Sequence, residues 1–183
     1  MRDSWEIRLG GTGGQGLITG GIILAEAAIL DGKNAVQSQS YGPESRGGSS
    51  KAEVIISGDR IDYMKVKDAD LLLAMSPEAA KKYIDEVKED GIVILDSTYV
   101  KNCEPTKGRV YRIDISRLAR QDVGREVVAN IVALAVIVGL TGVVSREALE
   151  KAVLSRIPKG TEEMNKKAIA VGFQAIEEAL NAA

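Results

Sequence analysis

A glycine-rich segment between a strand-like alternation and a long apolar run constrains the fold of this chain most. Residues 6–9 alternate polar and apolar side chains, as a strand does, and residues 17–30 have the length and composition of a helix. Between them, residues 11–16 fit the pattern G-x-G-x-x-G. A strand, a glycine loop and a helix in this order are typical of dinucleotide-binding α/β folds.

The glycine loop is the first candidate binding site. Glycines let the backbone turn sharply and bring its N–H groups, together with the positive end of the helix, against a phosphate. Two alternatives stay open here: contact with a phosphate or diphosphate, or a tight turn whose glycines pack the helix on the strand. The candidate binding residues are Gly11, Thr12, Gly13, Gly14, Gln15 and Gly16.

Two expected companions of a nucleotide loop are missing from the sequence. An NAD site needs an acidic residue at the end of the second strand, about 20 residues further on. That neighbourhood reads Val36-Gln37-Ser38-Gln39 and contains no carboxylate. The loop also lacks the Lys-Ser/Thr pair of a Walker A site. The sequence therefore disfavours nicotinamide and flavin dinucleotides.

Strand and helix patterns alternate through the first half of the chain. We expect strands at 35–38 and 52–56, a hairpin turn at 57–59 leading towards Ile61, and a central strand at 69–75. Ser76 as N-cap, Pro77 at the first helical position and Glu78 in the first turn predict a helix start. The charged stretch 79–90 is expected to be the solvated face of this helix, with Val87 on its inner side.

Helices dominate the second half. After strands at 92–95 and 109–114, helical patterns cover 122–140, 145–155 with Ser145 as N-cap, and 161–180. The predicted fold class is α/β: a single Rossmann-like domain over 1–183, with a mostly parallel sheet, a hairpin after the second strand and a helical C-terminal layer.

A second motif follows the second strand. Residues 39–50 combine tyrosine, glutamate and arginine with glycines, which a merely flexible linker would not need. The guanidinium of Arg46 can offer a planar donor fork to a phosphate or a partner carboxylate, or it can form an internal brace with Glu44. Both alternatives stay open. The candidate residues are Tyr41, Glu44, Arg46, Gly47 and Gly48.

Composition excludes several classes of protein. The net charge is −2, which gives no electrostatic footprint for nucleic acid or an anionic membrane. With no histidine and one cysteine, the chain alone cannot build a zinc site, a disulfide framework or an iron–sulfur cluster, so no metal ligands are assigned. We interpret Cys103 as an incidental thiol and Asn130 as a hydrogen-bonded core residue.

The location follows from similar arguments. Residues 1–6 lack the apolar core of a signal peptide, and the apolar run 127–140 is too short to span a bilayer, so it predicts a buried helix. A single unpaired thiol favours a reducing compartment. We therefore expect a cytoplasmic protein.

The two motifs together resemble one family. The stretch 10–16 with its Gln15-Gly16 ending, followed by Ser40-Tyr41-Gly42-Pro43-Glu44-Ser45-Arg46-Gly47-Gly48, resembles the gamma subunit of 2-oxoacid:ferredoxin oxidoreductases. The resemblance continues through nearly the whole chain. The sequence of residues 39–44 is most similar to that of the 2-oxoglutarate branch.

The resemblance implies a reaction and a set of partners. A 2-oxoacid is decarboxylated on thiamine diphosphate and oxidised, and its electrons pass through iron–sulfur clusters to ferredoxin. The acyl group is released as its acyl-CoA. The thiamine diphosphate, Mg²⁺ and clusters would belong to alpha, beta and delta subunits, none of them to this chain alone. The glycine loop and the second motif would reach coenzyme A or a partner subunit, and the catalytic residues stay unassigned.

Alternatives remain within that family. The chain could be a purely structural assembly subunit, or it could serve pyruvate, a branched-chain or an aryl 2-oxoacid. A freestanding nucleotide-binding module is the third possibility. The sequence does not decide between coenzyme A, thiamine diphosphate and a partner subunit as the contact of the glycine loop.

Overall fold

A computed structural model describes residues 3–41 and 49–182 of the chain. Among these residues, six strands form one sheet in the order β2-β3-β1-β4-β5-β6. The strands are β1 (Ser4–Thr12), β2 (Asn34–Tyr41), β3 (Ser49–Ser57), β4 (Ala69–Ala74), β5 (Val87–Asp96) and β6 (Arg109–Ile113). The pairs β1–β4, β4–β5 and β5–β6 are parallel, whereas β3 is antiparallel to β1 and β2. The predicted mostly parallel α/β sheet is confirmed.

The helices lie between and after the strands. They are α1 (Leu17–Leu30), α2 (Pro77–Tyr83), α3 (Ile115–Leu118), α4 (Ala129–Thr141), α5 (Arg146–Arg156) and α6 (Glu162–Asn181). The Ser76 hydroxyl accepts the Ala79 N–H at the start of α2, and the Ser145 hydroxyl accepts the Ala148 N–H at the start of α5. Both predicted N-caps are confirmed, because each satisfies an amide that has no acceptor inside its helix.

The sheet separates two apolar layers. Leu71 and Leu73 of β4 belong to the cluster that contains α1 and the C-terminal helices, whereas Leu72 and Ala74 belong to the cluster around α2. Successive strand residues point to opposite faces, so α1 and α2 cover opposite sides of the sheet. The first ten residues of α4 are all buried, as the apolar run predicted. Within the described residues, no helix is long and apolar enough to cross a membrane.

The predicted hairpin turn at 57–59 is wrong. The antiparallel hairpin is formed by β2 and β3, with Asn34 opposite Ser57 and Tyr41 opposite Ser50. Residues 58–68, all of them described, contain no strand. Both edges of β3 are already paired, with β1 and β2, so a chain returning after residue 57 has no free edge of β3 to join.

Two further boundaries differ from expectation. The charged stretch 79–90 is not one helix, because α2 ends at Tyr83 and β5 begins at Val87, which pairs with Ala69 of β4. Helix α4 begins at Ala129 rather than near residue 122, since a π turn over Ala119–Val123 and a 3₁₀ turn over Glu126–Val128 precede it. Gly124, with φ of 98°, ends the π turn.

Candidate functional site

The glycine loop lies where ligands bind in open α/β sheets. It joins the carboxyl end of β1 to α1, next to the carboxyl end of β4, and the Met75 N–H donates to the Gly10 carbonyl oxygen at 2.9 Å. Because α1 and α2 leave β1 and β4 towards opposite faces, these two strand ends flank the switch point of the sheet. A crevice outside the strand ends is expected at such a point.

The Gln15 side chain lies in that crevice. Its Oε1 accepts the Thr12 N–H at 2.8 Å, and its Nε2 donates to the Met75 carbonyl oxygen at 3.0 Å. A Cβ atom on Gly11 would lie 2.2 Å from Gln15 Oε1. Glycine at position 11 is therefore what makes room for the Gln15 amide.

Asn130 fixes the other end of the loop. Its Nδ2 donates to the Gly16 carbonyl oxygen at 3.0 Å. Gly16 is the N-cap of α1 with φ of 73°, and a Cβ atom there would lie 2.6 Å from Asn130 Nδ2. The interpretation of Asn130 as a hydrogen-bonded core residue is confirmed, since its side chain is buried and partnered. Its contact with the loop was not predicted, because no local signal links residues so distant in sequence.

A cavity of about 240 Å³ opens on the β3 side of the loop. Its wall consists of backbone and small or apolar side chains rather than charged groups, within the described part of the chain. Helix α1 starts here with no side-chain cap and no acidic residue in its first turn among the described residues. The first N–H groups of a helix have no intrahelical acceptor and carry its positive dipole end, which suits an anion. The lining residues are Gly13, Gly14, Gly16, Leu17, Ile18, Thr19 and Ser50.

The second motif starts and ends beside this cavity. Ser49 pairs with Thr12 of β1, and Ser50 pairs with both Gly11 and the last β2 residue, Tyr41. The Ser50 hydroxyl also donates to the Thr12 carbonyl oxygen at 3.3 Å. The two sequence motifs therefore meet at the end of the sheet where β1 and β2 finish and β3 begins.

Most predicted residues of the second motif lie outside the described residues. These are Glu44, Arg46, Gly47 and Gly48, and of Tyr41 only the backbone is described. All six predicted residues of the glycine loop are described and lie together.

The neighbourhood of β1 differs from that of a dinucleotide fold. There the second strand lies directly beside the first and brings a carboxylate to the ribose. Here the antiparallel β3 lies between β1 and β2, so the residues beside Thr12 and Gly11 are Ser49 and Ser50. Neither carries the carboxylate that a ribose site needs.

The remaining candidate groups are possible metal ligands, the Cys103 thiol and the Asp96 carboxylate. No cluster of three or more His, Cys, Asp or Glu side chains that could hold a metal occurs among the described residues. Burial raises the pKa of the Cys103 thiol, which packs against the α2 cluster. The Asp96 carboxylate, fully buried at the end of β5, accepts from Ser116 and from the Thr98 N–H.

Comparison with known proteins gives consistent matches. Residues 6–175 match the family model described as pyruvate ferredoxin/flavodoxin oxidoreductase. The chain is 47% identical over 176 residues to 2-oxoglutarate synthase subunit KorC of Methanocaldococcus jannaschii, covering 94% of this chain and 94% of the relative.

Two solved structures share the fold. The gamma subunit of a keto/oxoacid ferredoxin oxidoreductase from Geobacter sulfurreducens is 53% identical, with a TM-score of 0.86 and coverage of 96% of this chain and 99% of that chain. A 2-oxoglutarate:ferredoxin oxidoreductase from Magnetococcus marinus, with 2-oxoglutarate, coenzyme A and succinyl-CoA bound, has a TM-score of 0.88. At 20% identity, covering 97% of this chain and 32% of that chain, it supports the fold alone.

Proposed function

Because the chain belongs to the pyruvate ferredoxin/flavodoxin oxidoreductase family, we propose that it is the gamma subunit of a multisubunit 2-oxoglutarate:ferredoxin oxidoreductase. The observation that carries the proposal is the end-to-end match to relatives named 2-oxoglutarate synthase subunits. The complex would convert a 2-oxoacid to its acyl-CoA and pass the electrons to ferredoxin. Residues 1–183 would act as one gamma domain of this complex, in the cytoplasm.

The chain would not hold the redox groups. With one cysteine and no histidine, it cannot supply the thiolates of an iron–sulfur cluster. The alpha, beta and delta subunits would therefore bind the clusters, thiamine diphosphate and Mg²⁺. Thiamine diphosphate supplies the carbanion chemistry of the decarboxylation when bound. The contribution of this chain would be to bind and orient coenzyme A.

The cavity at the glycine loop fits an anionic group of coenzyme A. Gly13, Gly14 and the uncapped first turn of α1 line it, and no acidic side chain opposes an anion there among the described residues. The lining also contains no cationic side chain in the described part of the chain. Within residues 42–48 the one cation is Arg46, which we assign to the same phosphate or to a partner carboxylate. The other candidate residues of this motif are assigned to the same contact: Tyr41, Glu44, Gly47 and Gly48.

A charge placed at the cavity tests this site. Thr19 is exposed, lines the cavity and lies in the first turn of α1. A glutamate is favourable for the helix at that position but repels a phosphate in the cavity. In the assembled complex we expect Thr19→Glu to raise the KM for coenzyme A by about tenfold. The matched neutral variant, Thr19→Gln, should change that KM less than about twofold.

The outcomes separate the proposals. If Thr19→Glu leaves the KM for coenzyme A unchanged, the glycine loop does not contact that substrate, and the chain serves assembly alone. Substrate choice is tested on the wild-type complex by comparing kcat/KM for 2-oxoglutarate, pyruvate and a branched-chain 2-oxoacid. Preference for either of the last two would overturn the 2-oxoglutarate assignment.

A further inference from the structure

The position of Gln15 indicates which side of the glycine loop faces a ligand. At the switch point, the Thr12 N–H and the Met75 carbonyl oxygen are two polar backbone groups, one from each strand end. Both are already bonded to the Gln15 amide, at 2.8 Å and 3.0 Å. A phosphate entering between β1 and β4 would therefore meet a filled crevice.

The opposite side of the loop is open. There the cavity of about 240 Å³ is lined by Gly13, Gly14, the first turn of α1 and Ser50 of β3. The Gln15 N–H bonds back to the Thr12 carbonyl oxygen at 3.3 Å, so the side chain and backbone of one residue close a compact turn. This turn fixes the direction in which residues 13 and 14 present their backbone.

We infer that Gln15 is a positioning residue for coenzyme A: its amide closes the switch-point crevice and directs the anionic group to the β3 side of the loop. The inference rests on the proposed function of this loop. Gln15 itself does not touch the ligand. It acts by holding Thr12 and the following glycines in one conformation before the ligand arrives, which lowers the cost of ordering the loop on binding.

Gly11 offers an independent way to disturb Gln15. A Cβ atom at position 11 would lie 2.2 Å from Gln15 Oε1 and 2.6 Å from Leu17 Cδ1. Gly11→Ala should therefore displace the Gln15 amide without removing it. If Gln15 acts through its amide, Gly11→Ala should add little to the effect of Gln15→Met on coenzyme A binding, because coupled residues are not additive.

The experiment uses the assembled complex with Gln15→Met, which keeps the length of the side chain and removes both hydrogen bonds. Gln174→Met is the matched control, since Gln174 is exposed on α6 and bonds only to Glu178 among the described residues. Four readouts are taken: the Kd of coenzyme A by calorimetry, the KM values for coenzyme A and for 2-oxoglutarate, and the hydrogen exchange of the amides in residues 12–19.

We expect Gln15→Met to raise the Kd and KM of coenzyme A by about tenfold, the scale of two neutral hydrogen bonds. The KM for 2-oxoglutarate should stay within about twofold, and amide exchange in the loop should accelerate. Gln174→Met should change none of these. Faster exchange with unchanged coenzyme A binding would overturn the role of Gln15.

Comparison with Thr19→Glu separates failure of the positioning role from failure of the proposed coenzyme A site. If Thr19→Glu weakens coenzyme A binding and Gln15→Met does not, the positioning role fails and the proposed site stands. If neither variant affects coenzyme A, the site itself fails. Should Gln15→Met and Gly11→Ala both prevent assembly while Gln174→Met assembles, Gln15 serves folding and the inference is overturned.

Discussion

Asn130 and Gly16 are joined by a hydrogen bond of 3.0 Å across 114 residues of sequence, from the Asn130 side-chain amide to the Gly16 carbonyl oxygen. The bond ties the start of α4 to the N-cap of α1. Through it, the C-terminal helical layer holds the loop that borders the candidate site. Gly16 can approach Asn130 this closely because it has no Cβ.

The first prediction concerns Asn130→Asp. A carboxylate has the same shape but cannot donate to the Gly16 oxygen, so a buried contact becomes unfavourable. We expect the free energy of unfolding to fall by about 1–3 kcal/mol. The KM for coenzyme A should also rise in the assembled complex.

Asn165→Asp is the control for that prediction. Asn165 is buried on α6 and donates to the Thr161 carbonyl oxygen at 2.9 Å. Its replacement should also lower stability, which urea denaturation measures, but it should leave the KM for coenzyme A unchanged. Equal effects of both variants on that KM would mean that Asn130 acts through general stability.

Local chemistry explains what could be predicted from the sequence. The bounds of α1 were predicted correctly, because the glycine loop precedes it and Asp31-Gly32 follows it. The N-caps of α2 and α5 could be predicted equally well, because Ser76 and Ser145 each accept a hydrogen bond from an N–H only three residues further along the chain.

The parts that sequence reasoning missed depend on distant partners. Residues 87–90, which carry a helical pattern in the sequence, lie in β5 because Val87 pairs with Ala69 of β4. The placement of β3 between β1 and β2 is set by the whole sheet rather than by its own residues. The contact of Asn130 with Gly16 likewise gives no local sequence signal.

A second prediction concerns nicotinamide cofactors. β3 separates β1 from β2, and among the described residues Thr12, Tyr41 and Ser49 at these strand ends bring no carboxylate to a ribose. We expect no submillimolar binding of NAD or NADP to the chain. Calorimetric titration measures this, and a micromolar dissociation constant for either would return the chain to the dinucleotide-binding proteins.

A third prediction uses the buried ion cluster of the sheet. Burial raises the pKa of Glu53, but hydrogen bonds from Lys51 and Arg8 outweigh it, so the pKa lies below its ordinary value. The Arg8 Nε lies 2.9 Å from Glu53 Oε1, and both side chains are nearly inaccessible to solvent. The ionised carboxylate therefore stabilises the folded chain.

The pH dependence follows from the direction of that shift. Stability from Glu53 is fully present above about pH 4.3, the ordinary pKa of an unfolded glutamate, and is lost as the pH falls through the lower folded pKa. Glu53→Gln should lower the free energy of unfolding by about 1.5–3 kcal/mol at neutral pH, because Arg8 Nε loses its ionised acceptor while Glu86 and the Val66 carbonyl oxygen still accept from the other guanidinium nitrogens. The cost should shrink towards pH 3.

Urea denaturation of both proteins between pH 7 and pH 3 measures this difference. Glu163→Gln is the control, since Glu163 is 91% exposed and pairs with Lys166 on the surface of α6. That variant should change stability by less than about 1 kcal/mol at any pH. A cost of Glu53→Gln that does not vary with pH would contradict the ionised form as the stabilising species.

A final prediction concerns Arg46, the cation of the second motif. The motif joins the end of β2 to the start of β3, and Ser50 of β3 lines the cavity. The cavity lining has no cation of its own among the described residues, so a bound phosphate would depend on the guanidinium for charge compensation. An ammonium cannot reproduce the planar fork, so even Arg46→Lys should weaken coenzyme A binding or assembly by about 1.5–3 kcal/mol.

The measurements are coenzyme A kinetics and complex yield in the reconstituted enzyme, together with the melting temperature of the chain. Arg60→Lys is the matched control, because Arg60 is 90% exposed and pairs only with the exposed Asp62 among the described residues. It should leave kinetics, yield and melting temperature unchanged. If Arg46→Lys and Arg46→Ala change neither kinetics nor assembly, or if they unfold the chain, an internal brace between Glu44 and Arg46 explains the motif better than ligand contact.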